Sequence, residues 1–284
     1  MQPYSNYTHE TAPTEFVVVQ GIRYAYRRFG KQGQSRLLLL GYLSSNMDAW
    51  DPTVTNGLAE KNEIILFDNA GVGASGGTCR STVAEMAKDC AGFCNALGLT
   101  NLYIVGHSLG GMIAQQFAQD YPQLVRGLIL LGTGPRGGEG MSFTNIRPEE
   151  QKADPIAFLL AAFFAPTESS QSAGRAHVAR LAMRTQDRDL PVSADTTLTQ
   201  IEALKEWGAV PSTGRYAMLR NIPQPTLIVH GNKDIVVGPI NALILAEQLP
   251  NAQLIVYPDS SHGAQDQHAN RFLKHVELFL AEQS

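Results

Sequence analysis

The order of apolar runs in the chain predicts an α/β protein with a mostly parallel central sheet, helices on both faces and one helical insertion. Three observations carry that expectation. Short apolar runs at residues 37–40, 64–67, 102–105, 128–131, 226–230 and 254–257 have the length of strands, and those at 37–40 and 64–67 have the continuity of strands buried on both faces. Segments with apolar residues at helical spacing alternate with several of them, as with Val83, Met86, Ala87, Cys90, Cys94 and Leu97. Such alternation implies parallel strands covered by helices on each side. Between residue 132 and about residue 221, by contrast, the buried-strand signal stops and helix-like runs take its place.

In chain order, residues 1–15 read as a loose N-terminal arm. Residues 16–19 and 22–28, separated by Gln20-Gly21, read as a hairpin at a sheet edge. The run 37–40 empties into Gly41-Tyr42-Leu43-Ser44-Ser45-Asn46, and the run 64–67 ends at Asp68. A helix over 82–97 is closed by Gly98. The strand 102–105 turns through 106–110 into a helix-like run reaching residue 119, and the strand 128–131 follows. Residues 132–140 then carry five glycines in nine positions, too many for a regular element. Apolar helix-like runs at 155–164, 177–183 and 196–207 fill the next stretch. Strands resume after Ile222-Pro223-Gln224-Pro225, and an amphipathic helix over 271–281 ends the chain. Residues 1–133 and 223–284 are thus expected to form one core domain, with 134–222 inserted as a helical cap.

Composition narrows the function classes. A hydrophobic content of 44% with 17% charged residues over 284 positions is that of a folded chain with a large core, and argues against disorder. A formal net charge of -4 gives no reason to expect nucleic acid or an anionic membrane as partner. The polar first 20 residues lack a signal core and no apolar run reaches the ~18 residues of a membrane span, so a cytoplasmic protein is expected. Cys79, Cys90 and Cys94 are too few and too isolated from other ligands to suggest a metal site, and read as small core residues.

The chemistry centres on Gly106-His107-Ser108-Leu109-Gly110. A nucleophilic serine has to stand clear of the backbone on a sharp strand-to-helix turn, which needs small residues two positions to either side. The same turn sets the backbone N–H of Leu109 at a helix N-terminus, where free donors favour a developing oxyanion. A serine hydroxyl needs a base that titrates near neutrality, and histidine is the usual one. Of the seven histidines, His9, His177, His268 and His275 read as surface or packing residues. His107 adjoins the serine and cannot turn back onto it, and His230 ends a buried strand. His262 lies in the loop after the last strand, at the carboxyl edge where such sheets collect their ligands. Asp234, just past the preceding strand, is the acid that would orient it. Asp259 is the rival but reads as a turn residue after Pro258, and Asp68 reads as a structural turn.

With Ser108, Asp234 and His262 in that order, the chain resembles the α/β-hydrolase superfamily, in the variety with a cap inserted after the sixth strand. The resemblance rests on the turn at 106–110, on Asp68 to Ser75 as a D-x-x-G-x-G-x-S turn, on the acid loop at 231–234, and on Ser261-His262. Within the family it is most similar to esterases and cofactor-free haloperoxidase-like members. Two departures stand out: Gly41-Tyr42 where His-Gly is common, and Ala70 where an arginine often precedes the glycine. The resemblance implies a second oxyanion donor at the backbone N–H of Leu43.

Gly71-x-Gly73-x-x-Gly76 and Gly132-x-Gly134-x-x-Gly137 match a dinucleotide fingerprint, but neither opens directly into a helix as that fingerprint requires. No cofactor or metal is therefore expected. The expectation is a cofactor-independent serine hydrolase for a small-molecule ester or related acyl compound, with Tyr42, His107, Phe163, Phe164 and Trp207 as candidate pocket residues. The same triad can cleave a carbon–carbon bond beside a carbonyl or form peracids. The fold also serves hormone receptors, in which binding and cap movement matter more than turnover.

Overall fold

The computed structural model describes residues 6–32, 35–144, 154–212 and 214–283. The described residues contain one eight-stranded sheet in the order β1-β2-β4-β3-β5-β6-β7-β8. Its strands are β1 (Glu15–Val19), β2 (Ile22–Gly30), β3 (Arg36–Leu40), β4 (Glu63–Phe67), β5 (Leu102–His107), β6 (Val125–Leu131), β7 (Thr226–Gly231) and β8 (Ala252–Tyr257). The hairpin β1-β2 turns on Gln20 and Gly21, both at positive φ, the two-residue geometry that matches strand twist. β2 pairs antiparallel with β4, and every pairing from β4 through β3 to β8 is parallel.

The continuous apolar runs are explained by what covers them. Leu38, Leu40, Ile65, Ile104, Leu128 and Ile228 point to one face, against α2 (Val83–Ala96), α3 (Leu109–Asp120) and α7 (Ile240–Gln248). Leu37, Leu39, Ile64, Val105, Ile129 and Val229 point to the other, against α1 (Pro52–Ala59) and α9 (Ala269–Glu282). Alternate residues thus feed two cores, the double-sided burial expected of an interior parallel strand. α1 and α7 carry no clear sequence signal. α1 is PTVTNGLA, poor in helix formers, and begins because Asp51 accepts the Thr53 N–H and Pro52 presets the first turn.

Between β6 and β7 lie α4 (Pro155–Phe163), α5 (Glu168–Leu181) and α6 (Ala194–Gly208), with the four-residue α8 (Ala264–Gln267) following the β8 loop later in the chain. Asp154, Thr167 and Ser193 cap the three inserted helices through their side chains. The glycine-rich stretch after β6 is fastened down. Gly134 O accepts from Gln115 Nε2 and Trp207 Nε1, Gly137 N–H donates to Trp207 O, and Glu139 N–H donates to Asn241 Oδ1.

One expectation needs correction. Within the described part of the N-terminal arm, His9 and Ala12 are buried, with His9 N–H on Asn56 Oδ1 and His9 O accepting from Arg184, so the arm is docked. Of the two readings open for His177, surface or packing, the structure shows packing. Its Nδ1 meets Asp51 Oδ2 at 2.7 Å, and Arg180 binds the same carboxylate through Nε and Nη2.

Candidate active site

Each chemically interesting side chain follows the carboxyl end of a strand. Ser108 comes directly after β5 and opens α3, at φ 54° and ψ -114°. A non-glycine residue holds such a conformation only where its surroundings impose it, at a cost of about 1–3 kcal/mol. Here Ser108 N–H donates to Leu131 O (2.9 Å), and its own carbonyl accepts from Thr133 Oγ1 (2.8 Å) and from the N–H of Gly111 and Met112. The flanking glycines are sterically required. A Cβ on Gly106 would stand 2.4 Å from Gly110 O, and one on Gly110 only 2.0 Å from Leu40 O. The turn is therefore wedged against the loop that leaves β3. Leu109 opens α3, so its N–H is one of the first-turn donors that no intrahelical carbonyl can reach. Leu43 lies half-buried in the loop after β3.

Asp234 and His262 come together although 28 residues separate them. His262 Nδ1 lies 2.8 Å from Asp234 Oδ2, and Oδ1 of the same carboxylate accepts from the N–H of Val236 (2.8 Å) and Val237 (3.0 Å). Burial alone would raise the Asp234 carboxyl. The charge of His262 and hydrogen bonds from His230 and His262 outweigh it and hold the group well below the usual carboxylate range. An ionised carboxylate can only accept, so Nδ1 of His262 carries a proton towards it. A Cβ on Gly132 would be 3.1 Å from His262 Nδ1. The imidazole thus packs over the residue next to Leu131, whose carbonyl holds Ser108. All three residues are buried, at 6% exposure for Ser108, 4% for Asp234 and 2% for His262.

The rival acids lie elsewhere. Asp259 pairs with Lys233 Nζ (3.0 Å) and accepts from Thr167 Oγ1 (2.7 Å) at the surface. Asp68 accepts the Met47 N–H, and burial followed by the neighbouring Asp189 pushes its carboxyl well up.

Of the five expected pocket residues, three surround His262. The Phe163 ring is 5.2 Å from that of His262, 4.9 Å from that of Tyr42 and 5.5 Å from that of His107. His107 Nε2–H donates to His262 O (3.0 Å), and burial, reinforced by the charge of His262, lowers its pKa well below the ordinary histidine value. The other two pack elsewhere. Phe164 lies tilted against His177 with ring centres 5.7 Å apart, and Trp207 is fully enclosed with Nε1–H on Gly134 O and Arg136 over its ring. The inserted α4 grips the histidine loop from the other side. Ala162 O accepts from Ser261 Oγ (2.7 Å) and Phe163 O from Gly263 N–H (2.9 Å).

His230 ends β7, as its sequence context implies, with Nε2–H on Val237 O (2.8 Å); what sequence reasoning missed is that the same nitrogen lies 3.3 Å from Asp234 Oδ2. Its spacing of four from Asp234 across a tight turn was the available signal. Among the described residues one group, Asp51, His177 and Asp266, brings potential metal-ligand atoms within 4.8 Å of one another. Arg180 already supplies the positive charge there, so the group is a self-contained ion cluster. Burial pushes the Asp266 carboxyl up to about 7; Asp51 adds to this while His177 and Arg180 oppose it.

A family model described as the alpha/beta hydrolase fold matches residues 37–269. The chain belongs to that family. Among relatives of this hydrolase-fold protein, a 2-hydroxymuconate semialdehyde hydrolase of Pseudomonas putida is 30% identical over 210 residues, 70% of this chain and 69% of the other. An alpha/beta hydrolase fold protein from Chitinophaga pinensis superposes with a TM-score of 0.92 at 36% identity, covering 96% of this chain and 99% of that one. Est816, described as an N-acyl homoserine lactone degrading enzyme, superposes with a TM-score of 0.71 at 25% identity, over 93% of this chain and 100% of that one. The named hydrolases among these relatives support an enzyme. Among the described residues no helix is long and apolar enough to cross a membrane.

Proposed function

We propose that the protein is a serine hydrolase that cleaves a carboxylic ester or a related acyl compound through an acyl-enzyme. The observation that carries this reading is the 2.8 Å contact between His262 Nδ1 and Asp234, with the ring lying over Gly132 beside the strained Ser108 turn. Nε2 of His262 takes the Ser108 hydroxyl proton as Oγ bonds to the acyl carbon and the carbonyl π pair moves onto oxygen. The N–H groups of Leu109 and Leu43 receive that oxyanion. Collapse breaks the bond to the leaving alkoxide, which takes the proton back from Nε2. Water, deprotonated by the same nitrogen, then adds to the acyl carbon, and collapse returns Ser108 and the free acid. Each half-reaction balances with no redox or metal step.

In this reading residues 134–222 are a cap, and Phe163, Tyr42 and His107 line the acyl side. Phe164 and Trp207 serve instead to anchor the cap. The lactone-degrading relative fits the ester reading, since a lactone is a cyclic ester. A second reading is favoured by the relative named for 2-hydroxymuconate semialdehyde, a substrate without an ester bond. The same attack on a ketone carbonyl would then expel a stabilised carbanion.

A fluorophosphonate probe should label the wild-type protein and leave Ser108→Ala unlabelled. Aryl-ester turnover should vanish in the same variant. Labelling that persists in Ser108→Ala removes the nucleophile assignment, and ligand binding without any turnover would favour a receptor. A substrate panel of p-nitrophenyl esters, lactones and β-diketones separates the two hydrolytic readings.

A further inference from the structure

The loop after β3 is held by the inserted helix α6 at one residue, Ser44. Ser44 N–H donates to Gln200 Oε1 at 2.7 Å. Thr197 Oγ1 donates to Ser193 O, so the 2.9 Å contact between the Ser44 and Thr197 hydroxyls has Ser44 as donor. Both polar hydrogens of Ser44 therefore end on α6. Gln200 is 1% exposed, a buried amide whose oxygen faces this loop.

The backbone explains why the loop needs holding. Ser45 N–H and Oγ both meet Tyr42 O, closing a turn with Leu43 and Ser44 at its centre. Ser44 has φ 61° at the third position of that turn, where glycine or asparagine is preferred. A serine there is stable only while neighbours over-determine it. Left alone, the peptide between Leu43 and Ser44 can rotate so that Ser44 regains a negative φ, which disturbs the turn through which Ser45 holds Tyr42 O, and that carbonyl belongs to the peptide that carries the Leu43 N–H. The loop abuts the nucleophile turn, because a Cβ on Gly110 would stand 2.0 Å from Leu40 O and 2.8 Å from Gly41 O.

We propose that Gln200 is a positioning residue: through Ser44 it fixes the left-handed turn and so aims the backbone N–H of Leu43 at the oxyanion. This rests on the serine-hydrolase reading and deepens it. The second oxyanion donor is complete only when α6 is seated, so cap position and transition-state stabilisation are linked through one amide. A donor of this kind is worth about 10²–10³ in kcat when removed outright, and a misaimed one loses part of that.

The test is steady-state hydrolysis of p-nitrophenyl esters by the full-length protein. Gln200→Met keeps the buried volume and removes the acceptor. We expect kcat to fall by about tenfold to a hundredfold with KM within about twofold, since the interaction matters in the transition state. Ser44→Gly placed in the Gln200→Met background should recover most of the loss, because glycine adopts positive φ without help. A merely structural role for Gln200 would lower the melting temperature and give no such rescue. A kcat within twofold of wild type, or a loss that Ser44→Gly leaves untouched, overturns the proposal. If Gln200→Met does not fold, Thr197→Val removes the hydroxyl tie to Ser44, together with the bond from Thr197 Oγ1 to Ser193 O, and leaves Gln200 in place. It should still lower kcat severalfold, and an unchanged kcat overturns the proposal. Failure of the hydrolase reading shows up separately, as wild-type protein with no Ser108-dependent turnover, and that outcome overturns both.

Discussion

Asp234 shows how a single carboxylate is committed to one task. Its Oδ1 is saturated by two backbone N–H groups of its own turn, and its Oδ2 faces His262 at 2.8 Å with His230 alongside. Replacing it with asparagine keeps the shape but puts an amide where an acceptor is needed, so His262 loses the tautomer that leaves Nε2 free. Asp234→Asn is expected to cost on the order of 10⁴ in kcat with the fold intact. Asp259→Asn should stay within about twofold, because that carboxylate serves a surface pair with Lys233. Measuring kcat for both variants checks the assignment, and damage confined to Asp259→Asn would reverse it. The places of Ser108, Asp234 and His262 at a strand-to-helix turn and past two strand ends were legible because glycine spacing and chain order report directly on such turns and ends. The contact of His230 with Asp234 had only a spacing of four to announce it, and periodicity says nothing about how a tight turn folds back.

At the scale of elements, buried strands were legible because a strand covered on both faces is a near-continuous apolar run, as at residues 37–40 of β3 and 64–67 of β4. The destinations of apolar helical residues were not. In α4, Ile156 and Phe158 are exposed while Phe163 and Phe164 are buried and diverge, one towards His262 and one towards His177. Trp207 looked like a pocket residue, yet it bolts the end of α6 to the glycine-rich stretch after β6. Those glycines are too many for a regular element, and in the fold several permit close packing. A Cβ on Gly134 or Gly138 would meet Met141 Sδ within 2.4 Å. The two aromatic groups should therefore separate experimentally. Phe163→Ala is expected to shift the ranking of acyl chain lengths by roughly 1–3 kcal/mol in transition-state free energy. Trp207→Ala should instead lower stability by about 3–5 kcal/mol and leave the ranking alone. An ester panel and urea unfolding on both variants decide this, and a reordered substrate ranking in Trp207→Ala would return that residue to the pocket.

Across the whole molecule, three parts distant in sequence are joined by buried polar groups: the N-terminal arm, α1 of the core and the segment after α5. His9 sits at their junction. Its Nδ1 meets Thr55 Oγ1 at 3.0 Å, its N–H donates to Asn56 Oδ1, and its carbonyl accepts from Arg184 Nη1. Burial first, then the nearby charge of Arg27, lower its pKa to about 4 from 6.5, although Asp48 and Glu10 pull the other way. The sign follows from which state takes the proton. Above pH 6.5 neither the folded nor the unfolded chain protonates His9, so it contributes no pH dependence. Between pH 6.5 and pH 4 the unfolded chain binds a proton that the folded one refuses, so stability falls as the pH drops. Below about pH 4 both states are protonated and the effect levels off. The full shift corresponds to a loss on the order of 3 kcal/mol. His9→Gln removes the titration but keeps a polar side chain of similar reach. At pH 8 the variant should be no more stable than wild type, having exchanged one hydrogen bond for another. Its stability relative to wild type should then rise steadily as the pH is lowered from 6.5 to 4.5. Urea unfolding across that range reads the difference directly. Parallel curves for the two proteins would mean that His9 is protonated in the folded state, and that the arm lifts away from the core before the acid reaches it.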